Sequence, residues 1–332
     1  MGLEQTLFKR IFRDVVRGHS INYYNNKKIY VKHLGVNEQV DLDDYRLEHL
    51  ERAKQRGIPE EKEVLKFLKD SGDWTDKDEK DISDQHSFIQ SLIDNKAGLY
   101  LQSQIDKQDE LIHKAREELD EKLKIRRGLL GNTCEDYAEK RCIDLYIIKS
   151  FYYDIKFEDT VFTQQSFDEL SNTELSIVNT IYNEIFGTYS DLNFQKMVLE
   201  DFYGPYMQCC DKPLDFFGKP TTLLTHYQLR LYSYTVMFKN IFNSGEEIPF
   251  KIRKDPQKLM DWARNPKGRE KAREVMEKSG EGGAGLFGAT KEDLESLGIE
   301  TQGAGTVSLE EAAKKKGGTL NMEDLMKLSG MG

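Results

Sequence analysis

Apolar residues recur at helical spacing over most of this chain. Leu3, Leu7, Phe8, Ile11, Phe12, Val15 and Val16 form one stripe, Lys9, Arg10, Arg13 and Arg17 lie opposite, and Gly18 stands where a C-cap belongs. The pattern predicts an amphipathic helix of about four turns. A basic amphipathic helix can bind a membrane surface or a partner groove, but in a chain with its own core it more often packs inward. Residues 20–24 and 27–31 are then rich in Ile, Tyr and Val. Asn25 and Asn26 between them tolerate the positive φ of a tight turn, so a β-hairpin is expected, and as the only β structure of consequence. Helices are expected over residues 41–56, ending at Gly57 and Pro59, and over 60–69 on the stripe Val64, Leu65 and Leu68.

The middle of the chain predicts a long αα-hairpin. One helix is expected over residues 83–130, carrying Phe88, Leu92 and Leu99, with Ile105, Ile112 and Leu119 seven apart as a coiled-coil seam requires. Gly98 weakens that helix. Gly131 then serves as a C′ residue and Thr133 as an N-cap with Asp136 three positions on, which starts a second arm over 134–153. The acidic run 70–84 lacks the ligand spacing, the glycine and the final Glu of a calcium loop. It reads as a solvated linker with Trp74 docked on a neighbour.

Residues 159–262 are rich in Phe, Tyr, Leu and Ile and form the main candidate core. A helix capped by Ser171 or Asn172 runs to Gly187, a second covers 191–206, and a third starts at Thr221 or Thr222 and ends near 243. His226 lies in the third with no second His or Cys nearby in sequence, the setting of a structural histidine. Beyond residue 262 come a charged helix over 267–278 and the flexible composition SGEGGAG. Two segments, 291–298 and 322–330, share an EDLxxL core and are preceded by the plausible N-caps Thr290 and Asn321. They are too short to fold alone and look like recognition segments that order on a partner. Leu294, Leu297, Leu325 and Leu328 are the expected partner-facing anchors, with Phe8, Ile11 and Phe12 as a second set.

The expected fold is therefore mainly α: a helical bundle with a long, coiled-coil-like αα-hairpin, a small N-terminal β-hairpin and a flexible C-terminal tail. Four segments are expected: 1–82 (first helix, hairpin and short helices), 83–158 (αα-hairpin), 159–263 (aromatic helical core) and 264–332 (charged helix and tail).

Composition narrows the function classes. The 332 residues can bury a real core, and 38% hydrophobic against 32% charged residues describe a chain with ample solvated surface. A net charge of -10 argues against a general nucleic-acid binder, since such proteins draw affinity from Lys and Arg clusters, although a local basic face stays open. No stretch approaches a membrane span and the N-terminus lacks the apolar core of a secretory signal, so the cytosol is the expected compartment. Gly2 and Thr6 satisfy the spacing of a myristoylation motif, but the residues that follow read as a core-facing helix. Cys134, Cys142, Cys209 and Cys210 show no zinc spacing and are expected as reduced thiols.

Catalytic motifs fail on their chemistry. Residues 283–288 match GxGxxG and the glycine spacing of a phosphate loop, but a charged helix precedes them where a strand is needed. Ala289 and Thr290 stand where the phosphate-neutralising Lys and its Ser or Thr belong. HExxH, GxSxG and CxxC are absent from the sequence, and Asp215-Phe216-Phe217-Gly218 is no kinase DFG. No catalytic, cofactor-binding or metal-binding residue is expected, and no cofactor.

The Tyr- and Asn-rich helical body, followed by IPFKIRKDPQKLMDWARNP and the Gly-rich GAGLFGATKEDLESLGI, resembles tailed-bacteriophage tail or baseplate proteins, including chaperone-like assembly factors. The resemblance lies mainly in residues 248–299. It implies a non-enzymatic structural or assembly protein whose partners are other tail or assembly proteins, in the host cytoplasm or the virion. The competing expectation is a nucleic-acid-associated or hydrolytic enzyme with a site assembled from distant residues. That class predicts a pocket grouping His226 with Asp or Glu, and a basic surface if the substrate is DNA.

Overall fold

The computed structural model describes residues 3–96, 99, 102–245 and 247–264. Along the chain run α1 (Leu3–Arg17), β1 (His19–Tyr24), β2 (Lys27–Lys32), α2 (Val36–Gln55), α3 (Glu61–Ser71), α4 (Asp76–Lys96), α5 (Gln102–Leu130), α6 (Cys134–Ser150), β3 (Phe151–Tyr152), α7 (Gln164–Asp168), α8 (Asn172–Thr188), α9 (Asp191–Val198), α10 (Gly204–Gln208), α11 (Pro213–Phe217), α12 (His226–Phe242) and α13 (Pro256–Arg264). The fold is mainly α, with one small antiparallel sheet. Among the described residues no helix is long and apolar enough to cross a membrane. Two compact units divide the chain: residues 1–75 with 127–246, and residues 76–126 with 247–332.

The sheet of the first unit grows from its turn. Asn25 and Asn26 take φ of 48° and 59°, both in the left-handed region that a two-residue type I′ turn demands. They set the β1–β2 register from His19↔Lys32 to Tyr24↔Lys27. The second arm expected over 134–153 stops as a helix at Ser150. Phe151 and Tyr152 instead form β3, paired with Val31 and Tyr30, in the sheet order β1-β2-β3. Aromatic residues favour the pleated, half-buried surface of a sheet over the last turn of a helix. One sheet face carries Tyr24, Ile29, Val31 and Phe151, all buried. Phe162 packs its ring 5.3 Å from Tyr24 and 6.2 Å from Phe151.

Helices complete this core. Phe8, Ile11 and Val15 of α1 and Tyr227, Leu231 and Phe238 of α12 are buried, and full burial of each such side chain contributes roughly 1.5–3 kcal/mol. Thr225 caps α12 by accepting the Gln228 N–H. The buried Gln228 side chain donates to the Val15 carbonyl at 3.0 Å. Gln228→Met leaves that carbonyl only the Gly18 N–H and takes the acceptor from the Thr225 N–H, which opens the capping box, so urea denaturation is expected to show a loss of about 1–3 kcal/mol. Of the two expected caps of α8, Ser171 and Asn172, the cap is Ser171, in a capping box with Glu174. The helix expected over 191–206 is broken into α9, a 3-10 turn at Asp201–Tyr203 and α10. Pro205 is the reason: it opens a helix well but has no N–H to continue one. α6 packs along α2, with Leu42 and Tyr146 buried together and Lys149 paired to Asp41 at 3.0 Å.

The second unit holds an αα-hairpin formed by α4 and α5, in place of the expected pairing of 83–130 with 134–153, whose second arm, α6, packs on α2. The helix expected over 83–130 is thus two helices, and the first starts seven residues earlier, in the acidic run read as a linker. Asp76, Asp78 and Glu79 occupy the first turn of α4, where carboxylates favour the positive end of the helix dipole. Ile105, Ile112 and Leu119 of α5 are buried, and so are Ile82, Ile89 and Leu92 of α4. Ile82, Ile89 and Lys96 repeat the seven-residue spacing, so the α5 stripe finds its partner in the stretch just before it. Polar side chains interrupt the seam, and each bonds across it. Gln85 donates to the Ala115 carbonyl at 3.0 Å, Gln108 to the Leu92 carbonyl at 2.8 Å, and Arg126 to Glu79 at 2.7 Å. Such groups fix the register at some expense in stability.

Candidate functional site

At the closed end of this hairpin α4, α5 and α13 line a cleft of about 580 Å³. Its centre is Lys96, buried to 9% exposure at a seam position of α4. The ammonium lies 2.6 Å from Asp109 of α5 and 2.6 Å from Asp261 of α13. One cation thus joins three helices. Lys258 of α13 adds a pair to Asp106 at 3.1 Å. An ammonium withdrawn from water needs such partners, because its desolvation costs several kcal/mol. Gln257, one turn before Asp261, donates to the same carboxylate and holds it in place.

Apolar Ile93, Ile105 and Ile112 line the cleft beside this triad. Arg116 and Arg264, also lining residues, make no ion pair among the described residues. Such guanidinium groups stay charged and offer forked donors to a carboxylate. The arrangement suits recognition of an acidic, partly apolar segment.

The helical repeat sorts the remaining surface of the hairpin. In an antiparallel pair, residues that follow a seam position fall on one side and residues that precede one fall on the other. Ile93, Asp109 and Arg116 follow seam positions and share the cleft side. Phe88 and Leu111 precede Ile89 and Ile112, stand level with each other on the opposite side, and are 51% and 50% exposed. Ile125, on that side further along α5, is also exposed.

Two histidines of the first unit, His33 and His226, lie against Tyr227. His33 is 1% exposed, with ring centroids 5.0 Å from Tyr189 and 4.9 Å from Tyr227, both edge-on. Neither of its nitrogens has a hydrogen-bond partner. Burial, followed by the neighbouring His226 and His19, holds its pKa down to about 3. His226 stacks 3.9 Å from Tyr227 and its Nδ1 is buried without a partner. Burial, reinforced by Arg230 and opposed by Asp191, brings His226 down to about 4. Asp191 itself is paired to Arg230 at 3.3 Å. Both imidazoles are therefore neutral packing elements at neutral pH.

Of the expected partner-facing residues, Phe8 and Ile11 are buried in the chain's own core, 1% and 0% exposed. Phe12 is half-buried, its ring 4.6 Å from Tyr206 and 5.4 Å from Tyr203. In this fold α1 packs inward and its apolar stripe is occupied. Leu294, Leu297, Leu325 and Leu328 lie outside the described residues, as do Gly2, the charged helix expected over 267–278 and the glycine-rich run 283–288. Sequence reasoning missed Lys96, Asp109 and Asp261. The spacing Ile82, Ile89, Lys96 was the available signal, since it sets a lysine where a seam residue belongs. The chain matches no protein-family model, no curated protein and no solved structure.

Proposed function

We propose that this protein acts by protein–protein contact, as a structural or assembly component of a bacteriophage tail or baseplate, in the host cytoplasm or the virion. The observation that carries the contact reading is the Phe88–Leu111 pair. Two large apolar side chains stand exposed and level on a hairpin whose register is pinned by polar seam bonds. Exposed apolar groups on a rigid helical surface are the usual means of seating a partner. The charged cleft on the other side adds a second surface, suited to an acidic apolar segment. The tail or baseplate assignment is supported by the resemblance in residues 248–299.

Affinity purification of the tagged chain from its native source, with mass spectrometry of what accompanies it, tests this reading. Wild type is expected to bring down tail or baseplate proteins. Phe88→Glu combined with Leu111→Glu should lose them at unchanged helix content by circular dichroism. Replacing Leu294, Leu297, Leu325 and Leu328 with Ser is expected to remove a second, separate partner. Unchanged recovery by the Phe88/Leu111 variant would refute the hairpin surface, and wild type that recovers no phage structural protein would refute the assignment.

A further inference from the structure

The chain is acidic overall, but its charge is unevenly spread. Residues 9–35 hold seven Lys and Arg and a single carboxylate, Asp14, which is buried. Three of the cations, Lys27, Lys28 and Lys32, lie on β2. Side chains alternate across a strand, so the sheet face opposite Tyr24, Ile29, Val31 and Phe151 carries Ile21, Tyr23, Lys28, Tyr30, Lys32 and Tyr152. Tyr23 is 64% exposed and Ile21 41%. Register places Tyr23 beside Lys28 and Tyr30 beside both Ile21 and Tyr152. Lysine and ring are interleaved: Lys28 Nζ lies 4.8 Å from the Tyr30 centroid and Lys32 Nζ 5.9 Å from that of Phe157.

A strained loop extends this face. Phe157 has φ of +62°, in the left-handed region that a bulky side chain rarely adopts. The Asp154 carboxylate holds the loop by accepting the N–H groups of Lys156, Glu158 and Asp159 at 2.8, 3.0 and 2.8 Å. The result is a ring 5.3 Å from Tyr152 and 5.9 Å from His19. Backbone strain of this kind persists only where the surroundings enforce it, and it gathers at functional places. The carboxylates near the face are partly committed: Glu38 is paired with Lys32, and Asp154 is taken up by backbone. Glu158 and Asp159 flank the loop. Lys28 makes no ion pair among the described residues.

We infer that this outward sheet face binds single-stranded nucleic acid, with unpaired bases stacking on Tyr23 and on the Tyr30–Tyr152 pair, and Lys28 meeting a phosphate. The chemistry fits because every base has a flat π-face and each phosphate a charge, so exposed rings interleaved with ammonium groups recognise a strand without reading its sequence. A duplex keeps its bases stacked on one another and offers these rings nothing. The inference stands independently of the hairpin contact proposed above.

Fluorescence anisotropy with labelled 12-nucleotide oligo(dT) and oligo(rU) tests it on the full chain. Both strands are expected to bind, and a clear preference for one assigns the natural polymer. Log affinity should fall against log salt with a slope of about -0.7, for one phosphate contact. Tyr23→Ala should weaken binding on the order of ten-fold, the effect of losing one stacked base. Lys28→Glu should abolish it. Both sites are exposed, and unchanged circular dichroism will show that the fold persists. Absence of binding at 100 µM protein (roughly the weak end of nonspecific affinities) overturns the inference. Equal affinity for duplex, indifference to Tyr23→Ala, or equally tight displacement by poly-glutamate each overturns it too, the last by showing a surface that sees only charge.

Discussion

Lowering the pH from 6.5 towards 3 is expected to destabilise the first unit steeply, with His33 as the largest single contributor. Its pKa in the folded chain is about 3 against 6.5 for the free side chain. Between those values the unfolded chain binds a proton that the folded chain refuses. Stability is therefore fully present above pH 6.5 and is lost at about 1.4 kcal/mol per pH unit below it. The loss attributable to this one residue reaches roughly 4 kcal/mol near pH 3. His226, lowered to about 4, acts in the same direction. Asp14 acts against it. Burial raises its pKa, although Tyr189 donates to its carboxylate at 3.2 Å, so the folded state takes up that proton before the unfolded state does.

His33→Leu isolates the effect. Leucine is close in volume and brings no nitrogen that must stay unpartnered, so the variant should match or exceed wild type at pH 7.5. Urea midpoints measured at pH 7.5, 6, 5 and 4 should then give a flatter profile, by about one proton. A variant with the wild-type slope would place the acid sensitivity elsewhere.

Lys96→Met is expected to be the most damaging single change in the second unit. It removes the one cation from between Asp109 and Asp261 and leaves two carboxylates facing each other. Loss of one partner from a fully buried pair costs about 3–5 kcal/mol. The Asp109 side chain is 39% exposed and partly solvated, so roughly 2–3 kcal/mol is the expected loss. The damage should be local first, since Asp261 ties α13 to the hairpin. Hydrogen exchange should therefore show lost protection across residues 256–264 before it shows loss along the seam. Lys96→Met with Asp261→Leu removes the stranded charge and should recover most of the difference, because replacing a buried ion pair by apolar groups is often neutral. Exchange in α13 that is unaffected by Lys96→Met would mean that its apolar contacts alone hold it.

What the sequence revealed depended on how local the determining physics is. The β-hairpin was legible because Asn25 and Asn26 are themselves the turn, and α8 because Ser171 and Glu174 form a cap within four residues. The stripe Ile105, Ile112, Leu119 correctly announced a coiled-coil seam. Its partner was misplaced: periodicity says that a stripe must be covered but not by what. Of the covering residues, Ile89 and Leu92 lay inside the very helix expected to be continuous, and Ile82 just before it. β3 could not be seen at all, since Phe151 and Tyr152 become a strand only because β2, more than a hundred residues earlier, offers a free edge.

The candidate site was the least legible part. Lys96 and Asp261 are separated by about half of the chain, and each alone looks like one more solvated charge. Phe8 and Ile11 show the opposite error of emphasis: an apolar stripe suits a partner's groove and a protein's own interior equally well, and only burial decides between them. The exposed Phe88 was visible in sequence but looked like part of the seam. Its neighbour Ile89 holds that place, and a shift of one position along a helix turns a side chain by about 100°.

The glutamines at the hairpin seam also bear on how this gene can change. Because Gln85 and Gln108 tie fixed points of the two helices together, an insertion or deletion in α4 alone would put the crossing bonds on its two sides out of step. A matched loss of seven codons from each would merely shorten the element. Homologues that differ in the length of this region are therefore expected to differ by paired, whole-repeat steps.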